Sequence, residues 1–577
     1  MGTFKNLALA SLVALVMSVF SANVLASPPK PPLLAAADVV VTGKNWQLPE
    51  SHFVSAKMPM HLVYPRPDNE TSVSARHRRA YPGIEYRIPV SVQGGAYPFH
   101  YELLEGPPGM TIGQIYGQKD YGVVSWVPAG ESGPHTVTVR ITDQELTEQV
   151  ATWEIKATRD GFVFVDPAAD TNGDGTIDSP LNRFAEIHGD YYPGRGSLGN
   201  PGTTAFREMI VYLRAGTHQV ADIPTPWISL SGRPRAFLGY PGESAEIDFT
   251  NGQFRDVSAD FFIGGLTFRN APDLNLLPGT YWSEVEGRTS GSPSWLYAED
   301  GSWDMENGSR MFISFGRNHR MTWFEFEVKE ARFRERHSTV HPSLVASGNQ
   351  AMFFGPAVSN NNYREYLTFW GGRIQDQHGA IIHTYSSRYG VAEDLFALPS
   401  SGGPYTMHSR TALVFLKEQN TFWSVRRNRW TESALNTSAD GALYLNLNNR
   451  SGSVDNMLME AAYNLIHSVG NASGRVLNYN QGSNTVEGSN LWTYRNTFIG
   501  AVHGGDQLYT VTFENNVLMT PGGTYPSSGD RRTVKVAGQD LLDETSAWRQ
   551  YLDDDYRLEG EYRAELLGIV GHEIAWP

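Results

Sequence analysis

Two adjoining segments constrain the fold more than any other part of this 577-residue chain. Residues 164–187 read FVDPAADTNGDGTIDSPLNRFAEI, and residues 210–218 read IVYLRAGTH. The first segment predicts a strand, a turn rich in Asp, Gly and Asn, and a short amphipathic stretch behind Ser179 and Pro180. The second predicts an alternating strand that ends at a tight Ala-Gly turn. Elements in this order indicate strands that stack behind a short covering segment.

This order resembles the entry into a right-handed parallel β-helix of the pectin-lyase-like class, in which a capping helix covers the first coil. Later segments have the same strand-plus-Asn character, among them residues 491–498 (LWTYRNTF) and 509–517 (YTVTFENNV). The resemblance implies an all-β protein whose residues 159–577 form one solenoid and act as the catalytic domain. It also implies the activity of a secreted bacterial polysaccharide lyase.

The first 26 residues have the pattern of a signal peptide. Lys5 precedes an apolar run at residues 7–20, and small residues stand before Ser27. That run is too short for a membrane span, so we expect an exported chain, secreted or periplasmic, without membrane insertion. Residues 27–59 are predicted to be a leader that begins with a stiff proline-rich stretch and continues irregularly.

Residues 60–158 predict an immunoglobulin-like β-sandwich. Short strands recur about every ten residues with turn signals between them, as in residues 86–92, 133–143 and 151–157. These pieces resemble the putative-Ig, cadherin-like modules attached to many secreted bacterial enzymes. We expect this module to be a spacer rather than a sugar-binding domain.

Composition narrows the classes of partner. The formal net charge of −15 makes nucleic acid an unsuitable partner, and the absence of Cys excludes disulfides, zinc thiolates and a thiol nucleophile. The 57 Gly residues and the 12% aromatic content suit turn-rich β structure that faces sugars. The net charge does not exclude an acidic polymer, which would need a local basic strip on the protein. The expected protein is a monomer, and its expected partner is an acidic polysaccharide.

Stacked coils place equivalent residues roughly 4.8 Å apart, so inward apolar residues can serve as anchors for alignment. Five segments align on Phe333, Ile374, Trp430, Ile466 and Phe498. This alignment predicts an arginine ladder that binds carboxylates or sulfates. Its structural alternative is a row of surface ion pairs. The outward residues near these anchors are Arg332, Arg373, Arg429, Glu335, Asp376, Glu432, His337, His378 and His467.

A second alignment takes Ile382, Leu445 and Leu477 as inward residues. The spacing between the first two leaves room for a further coil that carries Leu416 and Lys417. The asparagines of this set predict substrate binding, and their structural alternative is a stack of amides that braces turns. The side chains predicted to point outward are His383, Tyr385, Asn446, Asn448, Asn478 and Asn480.

A lyase that acts on uronic acids needs a group that neutralises the carboxylate, a base with a near-neutral pKa and a proton donor for the leaving oxygen. His383 or His378 is the expected base, and Tyr385 is the expected acid. Arg373 or Asn446 is the expected neutralising group. Each His alone could equally be a structural coil histidine. The expected substrate-binding residues are Arg332, Arg429, Asn448, Asn478, Asn480 and His467.

Asp376 and Glu432 have three interpretations. They could be the acid and base of a glycoside hydrolase. They could hold Ca²⁺ together with a uronate carboxylate. They could also balance the charge of the arginines. The sequence implies no required cofactor, and Ca²⁺ is the one that it suggests.

Residues 170–178 resemble a Ca²⁺-binding EF-hand loop through its ninth position. The twelfth position is Leu181 rather than an acidic residue, so we expect a turn that supports the cap, with a weak structural Ca²⁺ as the alternative. Residues 503–506 (HGGD) are predicted to be a turn.

The leading functional prediction is β-elimination of an anionic polysaccharide. The alternatives are a glycoside hydrolase on the same scaffold, which would use paired carboxylates, and a non-catalytic polysaccharide-binding or adhesin solenoid.

Overall fold

The structure, a computed structural model, describes a defined part of the chain, which is almost entirely β structure. Two short 3₁₀ helices, Arg76–Arg78 and Phe184–Ile187, are the helical elements within it. The described residues are 39–41, 55–65, 76–97, 99–113, 122–187, 209–219, 227–229, 236–248, 253–255, 261–264, 266–269, 294–304, 313–314, 319–329, 351–355, 364–377, 380–399, 412–432, 441–448, 456–468, 475–479, 488–504, 510–514, 516–520, 530–531 and 534–537.

The strands are numbered in chain order. The first group is β1 Val39–Val41, β2 His61–Tyr64, β3 Arg79–Ala80, β4 Tyr86–Pro89, β5 Ser91–Gln93, β6 His100–Glu105, β7 Thr111–Gly113, β8 Val123–Trp126, β9 Ser132–Thr142, β10 Glu148–Ala157, β11 Phe162–Val165, β12 Ile210–Leu213, β13 Gly216–Gln219 and β14 Trp227–Ser229. The second is β15 Ala236–Gly239, β16 Ala245–Asp248, β17 Gln253–Arg255, β18 Phe261–Gly264, β19 Leu266–Arg269, β20 Ser294–Asp304, β21 Ile313–Ser314, β22 His319–Lys329, β23 Ala351–Gly355, β24 Arg364–Trp370, β25 Arg373–Gln377, β26 Ala380–Tyr385, β27 Ser387–Glu393 and β28 Phe396–Pro399. The third is β29 Val414–Glu418, β30 Thr421–Arg426, β31 Arg429–Glu432, β32 Leu443–Asn448, β33 Leu458–Ala462, β34 Leu465–Ser468, β35 Arg475–Tyr479, β36 Asn490–Tyr494, β37 Thr497–Ile499, β38 Ala501–Gly504, β39 Thr510–Glu514, β40 Val517–Thr520, β41 Asp530–Arg531 and β42 Val534–Ala537.

From β11 onward, strand pairing is parallel, and strands recur on three faces. We call them face A (through β24, β27, β30, β33, β36 and β39), face B (through β25, β28, β31, β34, β37 and β40) and face C (through β23, β26, β29, β32, β35 and β38). Between residues 364 and 504, each coil contributes one strand to each face. This arrangement is a parallel β-helix, and the predicted all-β, parallel β-helix part of the fold class is confirmed.

Inward side chains fill the solenoid with an apolar core. Its largest members, Trp423 and Trp430, are fully buried. Each large aromatic ring removes a large apolar area from water, at roughly 25 cal/mol per Å². Gly390 lies in register with Trp423 on the neighbouring coil, so a residue without a side chain makes room for the indole.

The strand register tests the predicted anchors. Ile374, Trp430, Ile466 and Phe498 lie in one column of face B, as predicted, and Ala397 of β28 stands between the first two. Val328 of β22 pairs with Ile374, while the remaining predicted anchor, Phe333, lies outside the described residues.

Two-residue turns connect face A to face B and carry a ladder of asparagines. Asn428, Asn464, Asn496 and Asn516 are fully buried. Asn464 Oδ1 accepts hydrogen bonds from the backbone N–H of Asn428 at 2.9 Å and from its Nδ2 at 3.1 Å. Asn496 and Asn516 repeat this pattern on the following coils. Stacked amides therefore brace these turns.

Residues 61–157 form the N-terminal module. Their strands pair in three sheets, β3-β10-β9-β6, β4-β8-β7 and β2-β5, in which all pairs except β3–β10 are antiparallel. Trp126 and Trp153 are buried in the module core. The assignment of this module to the immunoglobulin-like class stays a prediction.

The module packs directly against face A. Gly94 N–H donates to Ser424 Oγ at 2.8 Å, and Tyr463 OH donates to the carbonyl oxygen of Tyr97 at 3.1 Å. The rings of Tyr97 and Tyr463 are 4.8 Å apart. The module therefore packs on the solenoid through buried contacts, and its role as a spacer rather than a sugar-binding domain stays a prediction.

The segment at the start of the solenoid forms a turn and a 3₁₀ helix. Asp174 Oδ1 accepts hydrogen bonds from the N–H of Thr176 at 3.0 Å and from its hydroxyl at 2.8 Å. These bonds, led by that from the backbone N–H, lower the pKa of Asp174. Phe184 and Ile187 of the 3₁₀ helix are buried in the solenoid core. The predicted capping helix is thus a single short turn.

Near the N-terminus, β1 pairs in parallel with β42 at the end of face B. This strand lies within residues 27–59, and the predicted signal peptide lies outside the described residues. In the described part of the chain, no helix has the length and apolar character needed to cross a membrane.

Candidate functional site on face C

The structure divides the predicted site residues between two faces of the solenoid. His378, Arg332 and Asn480 lie outside the described residues. For some of the others, namely Arg373, Asp376, Tyr385, Glu432 and His467, the strand position alone is described. Face B carries Arg373, Asp376, Arg429, Glu432 and His467, and face C carries His383, Tyr385, Asn446, Asn448 and Asn478.

The arginine ladder is interrupted. Phe396 stands in register between Arg373 and Arg429, and Leu465 follows Arg429. The Arg429 guanidinium lies 4.6 Å from the centre of the Phe396 ring, and the side chain is buried. The expected solvent-facing row of arginines is therefore wrong at Arg429, which packs against an aromatic ring.

The second alignment is displaced by two residues. Leu443, rather than Leu445, pairs with Leu477, so Tyr444 lies beside Asn478. The predicted further coil with Leu416 and Lys417 is present as β29. The register defines one row across face C, which we call the face C row: His383, Phe415, Tyr444, Asn478 and His503.

One end of the face C row is an aromatic stack. The ring centres of His383 and Phe415 are 4.5 Å apart, and those of Phe415 and Tyr444 are 4.1 Å apart with nearly parallel planes. His383 is 0% exposed, Asn478 is 1% exposed and Asn446 is 5% exposed. These side chains alternate with core residues as predicted, yet the expectation that they face solvent is wrong.

The other end of the face C row is accessible. His503 is exposed to solvent and lies in β38, in register with Asn478. The prediction of a turn at this residue is therefore wrong, because residues 501–504 extend face C. Partial desolvation of this side chain is the main cause that lowers the pKa of His503, and the positive charge of Arg475 is the second cause. Its imidazole consequently stays neutral to a lower pH than an ordinary histidine.

Tyr444 has a defined polar neighbour. Asn446 Nδ2 donates to the Tyr444 hydroxyl oxygen at 3.2 Å, and Asn448 N–H donates to Asn446 Oδ1 at 2.9 Å. A tyrosine hydroxyl that accepts a hydrogen bond retains its own proton for donation. Asn446 thus orients Tyr444 as a proton donor.

A second register row lies beside the first. It contains Tyr385, Glu418 and Asn448, so a carboxylate stands between the predicted acid and a predicted binding residue. Glu418 is buried.

Sequence reasoning missed Phe415, Tyr444, Glu418, Arg475 and His503. The signal for His503 was present, because Val502-His503 repeats the apolar-polar step of Leu477-Asn478 and Ile382-His383. No comparable signal marks Phe415, which is an apolar residue within an apolar strand.

Among the residues that the structure describes, no group of three or more His, Asp or Glu side chains could hold a metal ion. The predicted Ca²⁺ ligands, Asp376 and Glu432, have no described side chains. Ca²⁺ therefore stays a prediction.

No protein-family model matches the chain, and no curated protein matches it. Among solved structures, the chain is similar to the Yersinia enterocolitica family 28 exopolygalacturonase, with a TM-score of 0.29 and 9% sequence identity over 79% of this chain and 94% of that chain. A likeness this low does not define an activity. The strand register defines the class as an all-β parallel β-helix protein.

Proposed function

We propose that this chain is an exported enzyme that cleaves an anionic, uronic-acid-containing polysaccharide by β-elimination on face C. The observation that carries the proposal is the accessible end of the face C row. There His503 is exposed, the buried Asn478 and Tyr444 follow it on the adjoining strands, and Arg475 is close enough to lower the pKa of His503. A donor, an amide, a base and a cation thus lie close together.

Each group has one role in the elimination. Arg475 pairs with the uronate carboxylate and makes the adjacent C–H bond more acidic. Neutral His503 takes that proton, and the electron pair of the C–H bond forms the new C=C bond as the C–O bond breaks. Tyr444 donates a proton to the leaving oxygen, and Asn478 lies between Tyr444 and His503 in the face C row.

His503, rather than the His383 expected from the sequence, is the base in this assignment. His383 lies four strands from His503 along the face C row, about 19 Å at the usual strand spacing. One cleavage site therefore does not use both histidines as its base. His503 is favoured because it is solvent-exposed, whereas His383 is buried against Phe415.

The test is incubation of the full chain with a panel of acidic polysaccharides, followed by ultraviolet absorbance of the unsaturated uronate product. We expect His503→Ala to lower the rate by about 10²–10⁴-fold, the usual contribution of a general base. Tyr444→Phe should lower it as well. His100→Ala, on the exposed surface of the N-terminal module, is the matched control. A full rate in His503→Ala with loss in His383→Ala would return the base to His383.

Hydrolysis is the second candidate, with Asp376 and Glu432 as the paired acids. Their strands on face B, β25 and β31, are separated by β28, so the two strands lie two spacings apart, roughly 9.6 Å. The paired carboxyl groups of inverting enzymes stand roughly 6.5–9.5 Å apart. New reducing ends without an absorbance rise, lost in Asp376→Asn, would favour this candidate. Saturable binding without chain shortening would favour a non-catalytic solenoid.

A further inference from the structure

The contact between the N-terminal module and face A contains a buried group of charges. Arg426, on β30, is completely buried. Its Nη2 lies 3.1 Å from Glu393 Oε2, and its Nη1 lies 3.9 Å from Glu460 Oε1. Arg426 also donates to the carbonyl oxygens of Val92 and Gly94 of the module. One guanidinium thus contacts two carboxylates and also bonds to the module backbone.

Glu460 is held by neutral donors as well. Ser424 Oγ donates to Glu460 Oε1 at 2.5 Å, and Tyr494 OH donates to Glu460 Oε2 at 2.8 Å. The same Ser424 Oγ accepts the hydrogen bond from Gly94 N–H of the module. The carboxyl group is therefore one hydroxyl away from the module backbone.

The surrounding elements supply few further charges. Arg427 bonds to Tyr97 and lies 3.9 Å from Asp394. Lys57 pairs with Glu514 at 2.6 Å. The titratable and charged groups that surround the Glu393–Glu460 pair are Arg426, Arg427, Asp394, Arg495, Lys57, Glu514, Tyr97, Tyr101, Tyr463 and Tyr494.

The charges of the inner group do not balance when both glutamates are ionised. Arg427 and Lys57 each have a carboxylate of their own, and Arg495 faces the ring of Tyr463. Arg426 is therefore the cation that lies against both Glu393 and Glu460. An excess negative charge in a buried site is costly, and protonation of one carboxyl group removes it. Burial is the main cause that raises the pKa of Glu460, in agreement with this charge balance.

We propose that docking of the N-terminal module on face A is linked to uptake of one proton by Glu460, so that the module is held tightly in acid and loosens as the pH rises. This device is independent of the reaction on face C. The contact between the module and the β-helix therefore responds to pH.

The direction follows from linkage. The docked state binds one more proton than the open state at any pH between the ordinary glutamate pKa, about 4.3, and the raised pKa of Glu460 in the docked state. Docking is therefore strongest below the ordinary pKa, and its stability falls as the pH rises through that window. For one linked proton, the opening constant rises by up to about tenfold per pH unit.

The test is hydrogen exchange of the peptide that contains Gly94, whose N–H bonds across the interface to Ser424. The opening constant of the full chain is measured between about pH 5 and pH 8, after correction for the intrinsic exchange rate. The wild-type constant should rise with pH. Glu460→Gln retains groups that can bond to Ser424 and Tyr494 without the charge, so its constant should be independent of pH.

Glu393→Gln is the second variant, because it leaves Arg426 with a single carboxylate and should also remove the pH dependence. Glu102→Gln, in a surface pair with Arg140, is the matched control and should keep the wild-type slope. A wild-type slope in both Glu460→Gln and Glu393→Gln would overturn the proposal, as would a wild-type constant that does not change with pH.

Discussion

At the scale of single residues, the turns between face A and face B combine strain with hydrogen bonding. The first residue of three successive turns has a left-handed backbone, with φ of 53° at Arg427, 57° at Tyr463 and 53° at Arg495. A non-glycine residue in this region costs about 1–3 kcal/mol. The asparagine that follows each one offsets this strain by satisfying buried backbone groups.

Asn464→Ala should therefore destabilise the chain strongly. The change removes the acceptor for the Asn428 N–H and the donor to the carbonyl oxygen of Val425, and each orphaned buried group costs about 1–3 kcal/mol. We expect a total loss of about 2–5 kcal/mol in the free energy of unfolding, measured by chemical denaturation. Asn490→Ala, whose side chain bonds to one carbonyl oxygen near the surface, should lose far less. Equal losses in Asn464→Ala and Asn490→Ala would contradict a stabilising role for the asparagine ladder.

The pH dependence of activity tests His503 itself. Because the pKa of His503 is lowered by burial and by Arg475, the rate should rise with pH through a midpoint below the ordinary histidine pKa of about 6.5. Arg475→Gln should lower the rate and also move this midpoint upward, because one cause of the shift is gone. Arg140→Gln on the module should leave the midpoint in place. If the midpoint were unchanged in Arg475→Gln, the charge of Arg475 would not be a cause of the lowered pKa of His503.

These residues also show how much the sequence could predict. The segments aligned from the sequence already contained Asn428, Asn464 and Asn496, each two positions before its anchor. An alignment of outward charged residues does not reveal the asparagine ladder, because these amides lie at turns and point inward. The accessible His503 was missed because Gly504 and Gly505 favoured a turn.

At the scale of strands, the fit of one coil on the next is set by pairs of large and small residues. A Cβ atom at Gly390 would lie 2.1 Å from Trp423 Cε2. The indole cannot retreat, since it is fully buried and its Nε1 donates to Ser387 Oγ at 2.9 Å. Gly390 is therefore required by the close approach of two strands.

Gly390→Ala should lower the thermal midpoint and the free energy of unfolding, because overpacking in a filled core costs typically 1–3 kcal/mol. Gly130→Ala in the module is the matched control, since nothing lies within 4 Å of a Cβ atom there. A double variant, Gly390→Ala with Trp423→Phe, should recover part of the loss. If Gly390→Ala were as stable as Gly130→Ala, the tight packing of these coils would be disproved.

Strand register was predictable where the inward residue is large and unpredictable where it is small. Trp430, Ile466 and Phe498 were aligned correctly, whereas the coil of Ala397 was overlooked because Ala gives little hydrophobic signal. On face C, Leu443, Leu445 and Leu447 are all buried core residues. Alternation alone cannot distinguish a shift of two residues within such a strand, because both registers keep the same face inward.

At the scale of the whole molecule, the module and the solenoid share one apolar cluster. Buried residues of both parts, among them Tyr97, Tyr463 and Tyr494, belong to it. The repetitive pattern that predicts a solenoid carries no information about which face another domain covers. This contact was therefore beyond the reach of the sequence.

Arg426→Met should weaken the whole assembly, because it leaves Glu393 and Glu460 buried without their cation. Breaking a buried ion pair by removing one partner costs about 3–5 kcal/mol. We expect faster limited proteolysis between the module and the solenoid and a lower thermal midpoint. Adding Glu393→Gln and Glu460→Gln to Arg426→Met should restore much of the stability. No recovery in the triple variant would show that Arg426 acts mainly through its bonds to the module backbone.

The pairing of β1 with β42 has a consequence for how the chain is made. The partner of Val39–Val41 is Val534–Val536, almost five hundred positions later in the sequence. A ribosome or an export channel releases the early strand long before the late one. The coil of β42 thus pairs with a strand made almost five hundred positions earlier, and this pairing can form only after both segments have emerged.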